Sequence, residues 1–266
     1  MTFKALFRSP KPLIACLHLM PLPGSPRYGG DMAPVYDTAL AEAKIFARYG
    51  VDGFIVENFR DAPFYPGNLP AETIAALAAV SREIVNVAQV PVGVNALRHD
   101  APAALAIATA AQADFIRVNV HMDAVVSDQG VLQGASHQTL RLRSALRSNV
   151  LIFADAGVKH ATPLGNRGLA AEAQDLTERG LVDAIIVSGA VTGAATRPED
   201  VDTARRHTHL PLLIGSGATP DNLAGVYDKV DGFIVGSYFK RDGKAENAVE
   251  ESRVKTFVDA LRALTS

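Results

Sequence analysis

The stretch VDGFIVEN at residues 51–58 returns as VDGFIVGS at residues 230–237, with six residues in common before the two diverge. Two other segments follow the same pattern, in which an Asp opens a run of apolar residues. Aligned on that Asp, the four segments read DGFIVE (52–57), DFIRVN (114–119), DAIIVS (183–188) and DGFIVG (231–236). Continuous apolar runs of this kind indicate parallel strands that are buried on both faces of a sheet.

Such runs alternate with Ala-rich amphipathic stretches along the whole chain. The pattern predicts strands at residues 13–18, 53–58, 92–95, 115–120, 150–155, 184–188, 212–215 and 232–236. It predicts helices at residues 33–49, 70–89, 100–112, 137–147, 167–179, 198–206, 220–226 and 249–264. Eight strand–helix units in about 250 residues are typical of a TIM barrel. A doubly wound open sheet would favour a Gly-x-Gly-x-x-Gly turn after the first strand, which this chain lacks. We therefore predict an α/β fold in which residues 1–266 form one (β/α)8 barrel domain.

The composition narrows the class of protein. The chain has 266 residues, a formal net charge of −2 and no basic run, which argues against binding to nucleic acid. A single cysteine, Cys16, excludes an internal disulfide framework and suits a reducing cytoplasm. The apolar stretch at residues 13–20 is too short to span a bilayer, so we expect no transmembrane segment and a cytoplasmic location. A homo-oligomer is kept as an option because dimers are common among soluble oligomers, but no segment of the sequence indicates an interface.

Glycines and serines end the last two predicted strands. Gly215, Ser216 and Gly217 follow the seventh strand, whereas Gly236 and Ser237 follow the eighth. Loops at these two places commonly bind phosphate in barrels, because glycine allows backbone N–H groups to approach a ligand closely. The alternative is that these glycines serve only to make tight turns. We expect the five residues to bind the phosphate of a ligand.

Polar side chains stand at the predicted carboxyl ends of the other strands, where barrel enzymes place their chemistry. The residue five positions after the repeated Asp differs in every copy, and three of these residues are polar. We expect substrate-binding roles for His18, Asn95, Arg117, Asn119 and Ser188. Any one of them alone is as well explained by a solvated rim.

Arg117 departs from the repeat, because its three aligned counterparts are isoleucines. A guanidinium inside the barrel wall needs a carboxylate partner, and Glu57 and Asp155 are the candidates. The alternative is that Arg117 points outward and pairs with a helix. We expect the inward orientation.

An acid/base set follows from the fifth predicted strand. Asp155 ends this strand, and Lys159 and His160 follow it closely, so that with Glu57 they form the candidate catalytic set. We expect Asp155 to stand partly desolvated at the barrel mouth. Lys159 is also a candidate for a Schiff base. The opposing interpretation is that Asp155 caps a loop and that its two neighbours are solvated.

No cofactor is predicted, and a divalent metal is kept as the minority alternative because no tight ligand spacing occurs. His18, His121, Asp123 and Asp155 are the candidate ligands. Cys16 is expected to be a small core residue rather than a nucleophile. The long loop after the fourth strand, with Asp128 and Gln129, is expected to act as a lid or binding element.

Six blocks of the sequence, in order along the chain, resemble the BtpA family, also called BtpA/SgcQ. They are LIACLHLMPLPGSPRYGG (13–30), VDGFIVENFRDAPF (51–64), VKHATPL (158–164), VSGAVTG (187–193), LIGSGATPDNL (213–223) and DGFIVGSYFKRDG (231–243). The resemblance implies a single (β/α)8 barrel. The family takes its name from a photosystem I biogenesis protein of cyanobacteria, and it brings neither an established reaction nor agreed catalytic residues.

The leading hypothesis is a cytoplasmic enzyme that acts by proton transfer on a small phosphorylated metabolite, such as a sugar phosphate. Isomerase, lyase and aldolase chemistry all fit this description. The alternatives are a non-catalytic assembly or regulatory factor, as the family name suggests, and a metal-dependent hydrolase. Binding of a phosphometabolite without turnover would favour the regulatory factor.

Overall fold

A computed structural model of the protein describes residues 1–165, 167–189 and 192–264. In chain order the strands are β1 (Leu13–His18), β2 (Gly53–Glu57), β3 (Val92–Asn95), β4 (Phe115–Val118), β5 (Ala124–Ser127), β6 (Gly130–Gln133), β7 (Leu151–Ala156), β8 (Ala161–Pro163), β9 (Ala184–Val187), β10 (Leu212–Ile214) and β11 (Gly232–Val235). The helices are α1 (Phe3–Leu6), α2 (Ala33–Tyr49), α3 (Ala71–Val87), α4 (Ala101–Ala111), α5 (Ser136–Ala145), α6 (Gly168–Glu178), α7 (Pro198–Arg206) and α8 (Glu251–Ala263).

Eight of these strands close into a parallel barrel in the order β1, β2, β3, β4, β7, β9, β10 and β11, with β11 pairing back onto β1. The predicted (β/α)8 fold is therefore confirmed. The ends of all eight predicted strands lie within two residues of the observed ends. Residues 190 and 191, within the VSGAVTG block, lie outside the described part of the chain. No helix in the described ranges is long and apolar enough to cross a membrane.

The repeated Asp joins neighbouring strands at the amino-terminal end of the barrel. Each of the four carboxylates accepts a hydrogen bond of 2.8–2.9 Å from a backbone N–H at the start of the preceding barrel strand. Each Asp also donates its own N–H to the carbonyl of that same residue. The pairs are Asp52 with Leu13, Asp114 with Val92, Asp183 with Ile152, and Asp231 with Leu212. The repeat thus satisfies backbone groups that a strand end would otherwise leave unpaired.

We expect Asp114→Ala to lower the free energy of unfolding by about 1–3 kcal/mol, because the N–H of Val92 loses its acceptor. The unfolding midpoint in urea measures this loss, and Asp37→Ala at an exposed helix position is the control. Ligand binding at the barrel mouth should be unchanged, since Asp114 lies at the amino-terminal end of the barrel. An unchanged midpoint would contradict a structural role for the repeat.

The barrel interior is apolar near the amino-terminal ends of the strands, and α1 covers it there. Phe3 lies 5.6 Å from Phe153, and Phe7 lies 6.1 Å from Phe115, measured between ring centroids. Gly93 makes room for this packing, because a Cβ there would stand 2.2 Å from the Phe115 ring. The helix α1, which the sequence pattern did not predict, therefore closes the amino-terminal end of the barrel with aromatic side chains.

The predicted helix at residues 220–226 is wrong. Turns occupy this segment, and a short 3-10 helix follows at Tyr227–Lys229. The side chain of Asn222 accepts a hydrogen bond from the N–H of Thr219 and donates one to the carbonyl of Gly217, both at 2.8 Å. Local bonds of this kind compete with a helix, and they fold the segment into the loop that follows β10.

The long loop after β4, which is expected to act as a lid or binding element, contains a hairpin that the sequence pattern did not predict. The strands β5 and β6 are antiparallel, and β8 from the loop after β7 joins them on the other side of β5. The hairpin turn carries Asp128 to the barrel mouth, where it lines a cavity. The side chain of Gln129 instead bonds within the turn, donating to Asp128 and accepting from Ser127.

Candidate functional site

Two adjoining cavities open at the carboxyl end of the barrel. The first, of about 160 Å³, lies above β1, β10 and β11, and the second, of about 410 Å³, lies above β3 and β4. Their shared lining consists of Glu57, Phe59, Arg117, Lys159 and Thr192. An elongated ligand that occupied both cavities would therefore pass these five side chains.

The predicted glycine and serine loops line the first cavity. Gly217 has a φ of +71°, and a Cβ there would stand 1.9 Å from the carbonyl oxygen of Ala194, so the loop requires glycine. Among the described residues, no group accepts a hydrogen bond from the N–H of Ser216, Gly217 or Ser237. Free N–H groups around a small cavity are suited to binding an anion.

Arg253 contributes to the first cavity and was not predicted from the sequence. It lies on α8, where its Nε donates to the carbonyl of Tyr238 at 2.5 Å and its guanidinium stacks 4.4 Å from the Tyr238 ring centroid. These contacts hold a positive charge at the wall of the cavity. A single Arg in an amphipathic surface helix carries no sequence signal for this position.

Arg117 points into the barrel, as expected. Its Nε and one terminal nitrogen bind the two Asp155 oxygens at 3.2 and 3.0 Å, and its other terminal nitrogen lies 3.5 Å from Glu57 Oε1. Burial opposes the charged guanidinium, but Asp155 and Glu57 outweigh burial and raise the pKa of Arg117. The two carboxylate partners named from the sequence are both confirmed.

Asp155 lies beneath the cavities and lines neither of them, in contrast to the expected place at the barrel mouth. It is 2% exposed, and its carboxylate accepts two bonds from Arg117 and a third of 2.6 Å from Asn119. The reason is that Arg117 reaches across from β4 and covers the carboxylate. In this geometry Asp155 holds the guanidinium of Arg117 in place.

Glu57 lines both cavities, and its two carboxylate oxygens have different surroundings. Oε1 accepts a bond of 3.2 Å from Asn95 and faces Arg117, whereas Oε2 stands 3.7 Å from Nε2 of His18. Asn95 and Arg117 thus fix the orientation of the carboxylate. Oε2 is the oxygen left for a ligand.

His18 is buried, and its surroundings favour the neutral ring. Burial, followed by the charge of Lys240, holds the pKa of His18 well below its usual range. Its Nδ1 lies 3.1 Å from the carbonyl of Ala245, and its ring stacks on Phe59 at 4.2 Å. Since a carbonyl can only accept, Nδ1 carries the hydrogen and Nε2 presents a lone pair towards the first cavity.

Lys159 stands between the two cavities. Within the described residues its ammonium makes no hydrogen bond or ion pair, although it lines both cavities. Burial and the charge of Arg117 lower the pKa of Lys159, against the opposing charges of Glu57 and Asp155. The backbone around it is held, because Arg98 donates to the Lys159 carbonyl at 2.6 Å and the Gly157 N–H donates to Glu172 at 2.9 Å.

His160 lies at the rim of the second cavity and joins two loops. Its Nε2 accepts a bond of 3.0 Å from the N–H of Thr192 and lies 2.8 Å from the hydroxyl of the same residue. Burial and the charge of Arg98 lower the pKa of His160. Its observed contacts are those of a residue that positions the rim.

Asn119 and Ser188 each carry a buried oxygen with no partner among the described residues. Asn119 lines the second cavity, so its Oδ1 is available to a ligand donor. Ser188 lines neither cavity, although a Cβ at Gly215, which lines the first, would lie 2.5 Å from Ser188 Oγ. Arg98 and Phe64 also line the second cavity, and neither was predicted.

The residues considered as metal ligands are not brought together. His121 lies 2.9 Å from the carbonyl of Gly180, and Asp123 pairs with Arg167 at 3.0 Å, both away from the cavities. A different set does meet, because donor atoms of Cys16, His18 and Glu57 all lie within 4.8 Å of one another. Burial raises the pKa of the Cys16 thiol to about 12, which argues against a free nucleophile.

A closed parallel barrel with cavities at the carboxyl ends of its strands defines a TIM-barrel protein. The chain belongs to the BtpA family, whose family model matches residues 9–263. It is 43% identical to photosystem I biogenesis protein BtpA of Synechocystis over 256 residues, covering 96% of this chain and 89% of that protein. It is 44% identical to an uncharacterized protein of Thermococcus kodakarensis, with 96% of each chain covered.

Solved structures of other barrels share the fold at low sequence identity. Tryptophan synthase of Mycobacterium tuberculosis superimposes with a TM-score of 0.59 at 16% identity, covering 95% of this chain and 91% of the other. N-(5'-phosphoribosyl)anthranilate isomerase of Pyrococcus furiosus superimposes with a TM-score of 0.58 at 14% identity, covering 95% and 99%. Likeness at this level of identity concerns the fold alone.

Proposed function

We propose that the protein binds a small phosphorylated metabolite at the barrel mouth, with the phosphate in the first cavity. The observation that carries this proposal is the set of backbone N–H groups on the loops after β10 and β11 that line the first cavity and find no acceptor among the described residues. Arg253 and Lys159 add positive charge to the same cavity. Barrels of this fold include enzymes whose names contain a phosphorylated compound, such as phosphoribosylanthranilate isomerase, which supports the choice of ligand class.

The proposed chemistry is proton transfer of the isomerase or lyase type. With its phosphate in the first cavity, a metabolite extends past Lys159 into the second. A lysine with a lowered pKa either accepts a proton as the amine or, as the ammonium, stabilises negative charge that develops on a carbonyl oxygen. Glu57 Oε2 is the second group placed to exchange a proton, and Arg117, held by Asp155, orients the substrate.

Gly217→Asp tests the phosphate site. The Cβ of the new side chain would collide with the carbonyl of Ala194, and its carboxylate would repel an anion, so we expect phosphate to bind about tenfold more weakly or worse. Isothermal titration with inorganic phosphate measures the loss, and Gly130→Asp, at an exposed hairpin glycine that also has positive φ, is the matched control. Unchanged phosphate affinity in the folded Gly217 variant would remove the proposal.

A non-catalytic assembly or regulatory factor is the second candidate function. The observation that favours it is the 43% identity to a protein named for photosystem I biogenesis. A library of phosphometabolites distinguishes the two candidates. Ligands that raise the melting temperature and are also converted support the enzyme, whereas ligands that raise it without conversion support the regulatory factor.

A further inference from the structure

Three potential metal ligands face the first cavity from two adjacent strands. Cys16 and His18 alternate on β1 so that both point inward, and Glu57 ends the neighbouring strand β2 in register with His18. Their donor atoms lie within 4.8 Å of one another, and His18 Nε2 is 3.7 Å from Glu57 Oε2. Ligands about 2.0–2.3 Å from a shared ion in tetrahedral geometry lie at comparable separations from each other.

The donor atoms are oriented by contacts outside the set. The Nδ1–H of His18 donates to the carbonyl of Ala245, which leaves the Nε2 lone pair facing Glu57. Asn95 donates to Oε1 of Glu57, which leaves Oε2 for an ion. Hydrogen bonds of this kind fix the tautomer of a histidine ligand and the rotation of a carboxylate ligand in metal sites.

Gly236 keeps the space next to these donors open. A Cβ at Gly236 would stand 3.0 Å from Nε2 of His18 and 3.3 Å from Cβ of Cys16. Any larger side chain would therefore cover the donor atoms. The same glycine belongs to the loop after β11, so the donors open directly onto the first cavity.

We propose that Cys16, His18 and Glu57 bind a divalent metal ion of the zinc type, with a further coordination position open to the first cavity. One sulfur, one imidazole nitrogen and one carboxylate oxygen suit Zn²⁺, whereas Mg²⁺ and Ca²⁺ prefer oxygen ligands alone. A thiolate and a carboxylate together balance the two charges of the ion. Binding displaces the Cys16 thiol proton, which leaves to solvent.

Positive charges nearby do not preclude the ion. Arg117 is neutralised by its two bonds to Asp155, and Lys240 by a pair of 2.7 Å contacts with Glu42. Lys159, a third cation near the set, has a lowered pKa, and Arg60, a fourth, donates to the carbonyl of Asn247 at 3.5 Å. With an ion bound, Glu57 serves as a metal ligand. Lys159 is then the group that carries the proton in the proposed function, and this role of Lys159 rests on that function.

Cobalt substitution tests the site through the only cysteine of the chain. The protein, treated with chelator and then titrated with Co²⁺, should bind one equivalent and develop a near-ultraviolet thiolate-to-cobalt charge-transfer band. Cys16 is the sole source of such a band, so Cys16→Ser should abolish it. His209→Ala, at an exposed histidine, is the matched control and should retain the band. Zn²⁺ should remove the band by displacing cobalt, and excess Mg²⁺ should not.

Cobalt binding without the charge-transfer band, or no stoichiometric binding, would overturn the proposal. Should the Ser variant not fold, Cys16→Ala and Glu57→Gln provide the same comparison, and the latter should bind Co²⁺ about tenfold more weakly or worse. Phosphate titration of the chelated protein separates the two proposals. Phosphate binding without a cobalt site refutes the metal inference alone, whereas a cobalt site without phosphate binding refutes the proposed function alone.

Discussion

Lys159→Met is expected to reduce turnover of a converted phosphometabolite by about 10²-fold or more, while its binding changes much less. Loss of a general acid or base typically costs about 10²–10⁴ in rate. Met retains the length of the side chain and removes the amine. Because Lys159 makes no hydrogen bond or ion pair among the described residues, its removal leaves no buried carboxylate unpaired, and the fold should persist.

The pH dependence provides an independent check on Lys159. Its pKa is lowered by burial and by the charge of Arg117, so the neutral amine forms at lower pH than in an exposed lysine. If the amine is the base, kcat/KM rises with pH through this pKa and levels off above it. The Met variant should lose that limb of the profile.

Steady-state kinetics and calorimetry measure the two parts of this expectation. Lys44→Met, at an exposed position on α2, is the control and should behave as the parent protein. Full turnover in the Lys159 variant would assign the chemistry to another group of the barrel mouth. Glu57 would then be the first candidate.

Arg117→Leu is expected to lower the free energy of unfolding by about 3–5 kcal/mol, the usual cost of removing one partner from a buried ion pair. Leu matches the isoleucines of the other three repeats in polarity, so the repeat alone suggests that it would fit. In the structure, however, Asp155 and Glu57 would lose their cation within a wall where both are almost fully buried. The uncompensated charge outweighs the apolar gain.

Urea unfolding of single and double variants tests this expectation. Adding Asp155→Leu to Arg117→Leu should recover part of the lost stability, because it removes one of the stranded carboxylates. Arg48→Leu breaks an exposed pair with Glu251 and should cost about 0–1 kcal/mol. An Arg117 variant as stable as the parent would show that the buried carboxylates do not depend on it.

The barrel wall could be predicted because its determinants are local. Apolar runs, the repeated Asp and the Ala-rich segments between them each specify an element within a few residues. The helix predicted at 220–226 failed because the bonds of the Asn222 side chain, rather than apolar periodicity, decide that segment. The helix α1 was not predicted because its four residues are too few to show a helical periodicity of apolar residues.

The site could be predicted only in part, because its geometry depends on long side chains that cross between strands. The inward direction of Arg117 followed from its place in the repeat. The guanidinium of Arg117 covers Asp155 and so keeps this carboxylate out of both cavities. This contact depends on the length and conformation of the Arg117 side chain, which sequence spacing does not reveal. Arg98 and Arg253 were not predicted for a similar reason. Each side chain extends to the barrel mouth from a segment whose sequence resembles an ordinary solvent-exposed surface.

The aromatic side chains at α1 close the amino-terminal end of the barrel, so a ligand at the mouth would lie between the barrel interior and solvent. A ligand that fills the mouth therefore also obstructs the exchange of water and protons with the interior. Under the proposed function, an intermediate formed from such a ligand would be shielded from hydrolysis until the product leaves. Product release would then be the step that returns solvent, and with it exchangeable protons, to the proposed site.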